Sequence, residues 1–193
     1  FRLALKQYVL ENSNENFKAI IPGKTLSELI KILSDSEDID VKIGVNKNQA
    51  LFELGECIVV SRIIEGEFLN YNSVIPSEFE TKIKVNTKSI LESLDRVSLF
   101  SREVSEKEKK APIKLNVSME GIEISCTSLA GDAKENVLGI VEGKNLEIGF
   151  NPRYLIEALK VIENEEIVMN FTTNVSPMII KPTHGNDYIY MVL

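Results

Sequence analysis

The side chains in this sequence that could make or break a bond are few and poorly spaced for it. The one histidine, His184, stands beside Gly185 with no cysteine or second histidine at ligand spacing, so it reads as a turn residue. Cys57 and Cys126 each sit in a strand-like apolar run without a Cys-x-x-Cys pair. That pattern points to buried packing residues in a reducing compartment, not to a disulfide or a metal knot. The acidic groups Asp35-Ser36-Glu37-Asp38 and Glu163-Asn164-Glu165-Glu166 match no calcium-loop spacing and read as solvated turns. Glycine-rich phosphate loops, His-Glu-x-x-His helices and nucleophile elbows are all missing. These residues call for no catalytic group, no metal and no cofactor.

The basic residues are better ordered. Lys24 and Lys31 are seven positions apart, Lys88 and Arg96 eight, and Arg153 and Lys160 seven. Such spacings are close to two helical turns, so each pair lies on roughly one stripe. Taken singly, each pair is an ordinary helix exterior. Its recurrence points to one positively charged face that could meet DNA phosphates through long-range, sequence-independent attraction. The net charge of −7 argues against a surface that grips nucleic acid all over, but leaves room for a single basic face.

These pairs sit on elements that repeat one grammar. Thr25 and Glu28 have capping-box spacing ahead of Leu26, Leu29, Ile30 and Leu33; Asn86 precedes Ile90, Leu91, Leu94 and Val97; and Asn151-Pro152 precedes Leu155, Ile156, Leu159 and Ile162. After each helix come three strand-like runs: 39–44, 49–54 and 56–62; then 113–118, 121–127 and about 133–141; then 167–171, 177–181 and 188–193. A strand precedes each helix as well, at Leu3-Ala4-Leu5, Lys82 to Val85 and Leu146 to Phe150. Helical segments starting at 22, 86 and 151 recur at offsets of 64 and 65 residues, the mark of an internal β-α-β-β-β repeat.

The alternation of Ile113, Leu115 and Val117 with Lys114, Asn116 and Ser118 makes sheets with one buried face, against which helices pack in an α+β fold. Two units joined through residues 139–144 form one domain, 80–193, and residues 1–79 form half of a preceding one. The charged tract 102–110 reads as a solvated loop. A composition of 44% hydrophobic and 26% charged residues is that of an ordinary globular chain, with no apolar run approaching a membrane span. Phe1 opens in strand-like sequence and Leu193 ends a strand, so both ends read as cuts in a longer protein.

The segment Arg62-Ile63-Ile64-Glu65-Gly66-Glu67-Phe68-Leu69-Asn70-Tyr71-Asn72-Ser73-Val74-Ile75-Pro76 resembles the R-x-x-x-G-x-F-P-x-Y-x-x-V-[IL]-P stretch of bacterial DNA polymerase III beta subunits, the replicative sliding clamps. Gly149-Phe150-Asn151 with Tyr154-Leu155 is similar to that family's G-F-N-x-x-Y-[LV], and Arg2-Leu3-Ala4 to the tail of its T-D-G-[HF]-R-L-A. Leu69 and Ser73 depart from the family's frequent proline and basic residue.

The resemblance covers essentially the whole chain. It implies the later half of a middle clamp domain followed by the third domain, antiparallel sheets outside and helices lining a ring. It implies a cytoplasmic accessory subunit of the DNA-directed DNA polymerase, without an active site, that encircles double-stranded DNA as a homodimer when full length. The expected partners are the replicative polymerase catalytic subunit, the clamp loader and other clamp-binding-motif proteins, with no membrane. Carried onto this sequence, the partner-peptide groove comprises Arg2, Leu3, Leu69, Val74, Asn151, Tyr154, Val175, Pro177, Met191 and Leu193, while Lys24, Lys31, Lys88, Arg96, Arg153 and Lys160 face DNA. The alternatives are a peptide-binding scaffold with the same repeat that encircles nothing, and an enzyme whose catalytic residues lie outside this sequence.

Overall fold

The computed structural model describes residues 2–10, 16–34, 40–102, 111–129, 131–185 and 187–193. The acidic group at 35–38 and most of the tract at 102–110 lie outside the described residues. The chain forms two compact units, one of residues 10–71 and one of residues 1–9 with 72–193.

The smaller unit holds α1 (Gly23–Ser34) and a three-stranded antiparallel sheet of β2 (Val41–Val45), β3 (Gln49–Leu54) and β4 (Cys57–Arg62). Its core is Leu29 with Ala50, Phe52 and Leu54, flanked by Ile21, Ile32, Leu33, Val45, Val59 and Ile63. The helix starts two residues ahead of the expected cap, because the Pro22 carbonyl accepts from Leu26 N–H. Thr25 therefore lies inside the first turn and its hydroxyl meets Ser61 Oγ at 2.8 Å, so it forms no capping box. Cys57 is exposed at the β3–β4 turn, outside the core, whereas Cys126 is buried; both are free thiols.

The larger unit shows how the repeat is built. Its elements are β1 (Arg2–Lys6), β5 (Thr81–Asn86), α2 (Thr87–Ser98), β6 (Ile113–Ser118), β7 (Gly121–Ser128), β8 (Gly131–Val137), β9 (Gly139–Gly143), β10 (Leu146–Phe150), α3 (Pro152–Leu159), β11 (Glu166–Phe171), β12 (Met178–Pro182) and β13 (Tyr188–Val192). One sheet runs β10-β6-β7-β8 and the other β1-β13-β12-β11-β5-β9. Every pairing in the two is antiparallel.

The leading strand of each half thus joins the three strands of the other: β10 pairs with β6, and β5 with β11. This is the pairing that an approximate two-fold between the halves produces. The helices α2 and α3 pack on each other and on the same core. Ile90, Leu94 and Val97 from α2 and Leu155, Ala158 and Leu159 from α3 meet the inward residues of both sheets, among them Leu115, Ile124, Ile83 and Met169. Burying that alternating face while Lys114 and Asn116 stay wet stabilises the layers at roughly 25 cal/mol per Å² of apolar area.

Three sequence expectations change. The run expected as one strand at 133–141 is two, β8 and β9, because the chain leaves one sheet at Leu138 and Gly139 enters the other beside Val85. Gly139 is needed there, since a Cβ would fall 2.7 Å from Val85 Cγ1 and 2.8 Å from the Lys84 carbonyl oxygen. The link at 139–144 is therefore largely a strand. Second, α3 ends at Leu159, a turn short of Ile162. Third, β1 does not lead into α1 as β5 leads into α2; it pairs with β13 at the edge of the six-stranded sheet, Leu3 opposite Met191 and Leu5 opposite Ile189.

Candidate functional site

The candidate peptide site in the larger unit is organised by one end of the six-stranded sheet. In β13 the burial alternates, with Tyr188, Tyr190 and Val192 turned to the core and Ile189 and Met191 to the other face. Cross-strand register carries that outer face sideways: Leu3 lies opposite Met191, Met191 opposite Ile179, and Ile179 opposite Asn170. Leu3 and Met191 are half-buried, while Ile179 and Asn170 are buried. The row is a short apolar floor with an amide at its end, and that amide's Nδ2 has no hydrogen-bond partner among the described residues. Neither Asn170 nor Ile179 was among the sequence-derived groove residues. The signal for Asn170 was present, as the one polar residue interrupting Ile167-Val168-Met169-Asn170-Phe171.

Arg2 and Tyr154 lie on the opposite, helix-bearing face. Arg2 is opposite core-facing Val192, and its guanidinium carbon sits 4.5 Å from the Tyr154 ring centroid, a cation–π contact. Tyr154 is fixed from below, since Tyr190 donates its hydroxyl to the Tyr154 carbonyl at 3.0 Å. Burial pushes the Tyr190 hydroxyl pKa up, with Arg2 opposing the shift. At Tyr188 burial is the larger cause and nearby Tyr190 adds to it, so the hydroxyl is pushed up to about 12.

Asn151 caps α3, its side-chain oxygen accepting from Arg153 N–H at 3.0 Å, with Pro152 at the first helical position. It lines a cleft of about 390 Å³ between α2 and α3, so it does not share the outer face with Leu3 and Met191. Val175 and Leu193 are exposed, Val74 is 39% exposed and Pro177 is half-buried. Pro177 immediately precedes β12, whose Met178 lies opposite Val192, so Pro177 and Leu193 share one sheet end with Arg2. Leu69 is exposed in the smaller unit.

The six basic residues are all exposed, five on helices and Lys160 as the C-cap just past α3, but four are paired with carboxylates. Lys31 meets Glu28 at 2.9 Å and Lys88 meets Glu92 at 3.8 Å. Arg96 reaches Glu135 of β8 through two 2.9 Å bonds. Arg153 meets Glu157 at 2.6 Å. Arg96 holds the Glu135 carboxyl below its ordinary range, as Arg153 and then Arg2 do for Glu157. Among the described residues, Lys24 and Lys160 have no such ion pair. Arg153 and Lys160 line the α2–α3 cleft with Asp95 and Glu157. Lys88 and Arg96 lie outside it on α2, and Lys24 and Lys31 are on α1 in the smaller unit. Acids interleave with the cations, so the helical surface is of mixed charge, an arrangement that spacing between like residues alone conceals.

His184 is exposed, with Nδ1 3.0 Å from Thr183 Oγ1, as expected of a turn residue. Among the described residues no group of three His, Cys, Asp or Glu side chains is placed to hold a metal, and no helix is long and apolar enough to cross a membrane.

Comparison with known proteins matches residues 72–193 to the C-terminal domain of the DNA polymerase III beta subunit and residues 1–70 to its central domain. The chain belongs to the DNA polymerase III beta subunit family. It is 39% identical to the beta sliding clamp of Staphylococcus epidermidis, with all of this chain aligned to 50% of that protein, and 37% identical over the same shares to that of Staphylococcus aureus. The DNA polymerase sliding clamp of Bacillus subtilis superposes with a TM-score of 0.89 at 34% identity, covering 100% of this chain and 50% of that one. The DNA polymerase III beta subunit of Thermotoga maritima gives 0.85 at 30%, covering 100% and 51%. The chain thus spans about half the length of its beta subunit relatives, and it has their α+β clamp fold.

Proposed function

We propose that this chain is the later part of a DNA sliding clamp that confers processivity on the replicative polymerase and recruits partners through a peptide groove. Residues 1–79 would be the second half of the middle domain and 80–193 the C-terminal domain. The observation that supports this most is the duplicated β-α-β-β-β unit with α2 and α3 side by side on one layer, in a chain of the beta subunit family. In the full-length protein such helices would line a homodimeric ring around double-stranded DNA.

The interleaved charges suit the task. A ring holds DNA by topology, so phosphate contacts can stay weak, and paired cations such as Arg96 and Arg153 attract phosphate less than free ones would. The groove raises the effective concentration of bound partners at the DNA. It would take Arg2, Leu3, Val74, Asn151, Tyr154, Val175, Met191 and Leu193, with Pro177 at its edge. An extended peptide with two large apolar side chains would gain a few kcal/mol there before ordering costs, which places affinity near micromolar. The polymerase, the clamp loader and other clamp-binding-motif proteins would then compete for one site in the cytoplasm. Chemistry would belong to the polymerase and not to this accessory subunit.

The test uses full-length protein loaded on a nicked circular plasmid. Co-elution with the circle and loss on linearisation is the expected result. Equal retention on linear DNA, or no retention on the circle, would sink the ring and favour the non-encircling scaffold.

A further inference from the structure

The groove rim and the helical face share one carboxylate. Glu157, one turn after Arg153 on α3, takes Arg153 Nε on Oε1 at 2.6 Å and Arg2 Nη1 on Oε2. The first cation stands on the proposed DNA face. The second comes from β1, at the sheet end proposed for the peptide, and is stacked on Tyr154. All four residues belong to the larger unit and are partly exposed, the charged side chains by 41–66%, so DNA and peptide can reach their respective arginines. No other carboxylate is in ion-pair contact with Arg2 or Arg153 among the described residues.

We infer that Glu157 is a positioning residue that couples the two sites: DNA phosphate on Arg153 leaves Glu157 to Arg2, and the better-held Arg2 favours the partner peptide. This rests on the clamp reading above. Two cations share the charge of one carboxylate, each at its own oxygen, so whatever withdraws one strengthens the other's pairing. A phosphate oxygen competes with Glu157 for Arg153 because both are anionic acceptors of the same guanidinium. Once Arg153 turns to phosphate, Glu157 serves Arg2 alone and fixes it over Tyr154, reducing the ordering cost a peptide otherwise meets. Linkage is reciprocal, so peptide binding must favour DNA by the same factor. The pairs are exposed, which keeps that factor to about two- to fourfold at low salt.

The sign of the coupling makes the substitution Glu157→Gln diagnostic. It frees Arg153, so DNA binding strengthens; it also loosens Arg2, so peptide binding weakens. Damage to the fold would lower both, and simple removal of a negative charge would leave an uncharged peptide indifferent.

The experiment titrates a fluorescein-labelled, uncharged hexapeptide carrying Leu and Phe as its large side chains into the full-length protein. It is run with and without a saturating short duplex, in wild type, Glu157→Gln and Glu157→Asp. The expected results are two- to fourfold tighter peptide binding with DNA in wild type, no DNA effect in Glu157→Gln, and partial recovery in Glu157→Asp. Duplex affinity should rise in Glu157→Gln. A DNA effect of the same size in wild type and Glu157→Gln, or wild-type affinities independent of each other, overturns the inference alone. A wild type that is not retained on a nicked circle and binds no peptide overturns the clamp reading and this inference with it.

Discussion

Asn151 is where helix stability and the proposed partner binding can be pulled apart. Its side-chain oxygen takes the Arg153 N–H at 3.0 Å and thereby fixes the first turn of an eight-residue helix that also carries Tyr154 and Glu157. With the oxygen so engaged, only the side-chain NH₂ is left to meet a peptide carbonyl. Asn151→Ala removes both functions. Loss of such a cap costs about 1 kcal/mol, so amides of the first turn should exchange roughly fivefold faster. Asn151→Asp keeps the cap oxygen, and its charge suits the positive end of the helix dipole, so exchange should stay at the wild-type rate or slow. It lacks the NH₂ donor, which is worth about 0.5–1.5 kcal/mol in a neutral hydrogen bond, or roughly two- to tenfold in affinity. Hydrogen-exchange mass spectrometry and peptide titration on the full-length protein read the two effects separately. Fast exchange in Asn151→Asp would refute the cap argument. Wild-type peptide affinity in Asn151→Asp would take Asn151 out of the groove and leave it a purely structural residue of the interhelical cleft.

Other expectations are as direct. Met191→Lys should abolish peptide binding yet leave unfolding nearly unchanged, because Met191 faces away from the core and a lysine can reach water with its ammonium; a collapse in thermal stability would show that the face is packed. Tyr188 has its folded pKa raised to about 12, so its contribution is complete below pH about 10 and is lost as pH rises from there to about 12. Over that window stability should fall by about 2–3 kcal/mol, and Tyr188→Phe should flatten the fall in alkaline denaturation curves. Gly143→Ala should cost on the order of 2–4 kcal/mol in urea unfolding, since its φ is +110° and a Cβ would collide with the Glu80 carbonyl oxygen; a neutral change would show the β5–β9 edge to be soft. Reversing the charge of Lys24, Lys31, Lys88, Arg96, Arg153 and Lys160 one at a time should shift retention on circular DNA less than twofold, whereas reversing all six should abolish it at moderate salt for every DNA sequence. Retention that survives the sixfold change would refute the proposal that they meet DNA.

What the sequence made legible was local. Alternation in 113–118 and capping at Asn86 and Asn151 place strands and helices correctly because near neighbours decide them. Partnering across the chain was harder to see. Leu3-Ala4-Leu5 looks like the leading strand of a unit, yet sixteen residues separate Lys6 from Gly23, whereas Asn86 runs directly into α2. Read strictly, that spacing already excluded β1 from the repeat's leading position. At the candidate site, the residues carried over by resemblance fall on both faces of one sheet end, because register sends Arg2 and Leu3 to opposite sides. Glu157 escaped notice for a physical reason: its importance lies in joining Arg2 to Arg153, and a contact between residues 155 positions apart leaves no trace in local pattern.

The exchange of leading strands between the two halves of the larger unit bears on how the halves could exist apart. A polypeptide holding only β5, α2, β6, β7 and β8 would have β5 without its partner β11, and β6 without β10. It would also expose the side of α2 that α3 covers. Each missing surface is the complement of one it still carries, so two copies could satisfy each other by swapping β5 onto β6 around a true two-fold axis. Such a half-chain is expected to be a domain-swapped dimer and not a small monomer. Joining the copies head to tail converts that swap into an intramolecular pairing, which folds at any dilution but forces both halves to form together.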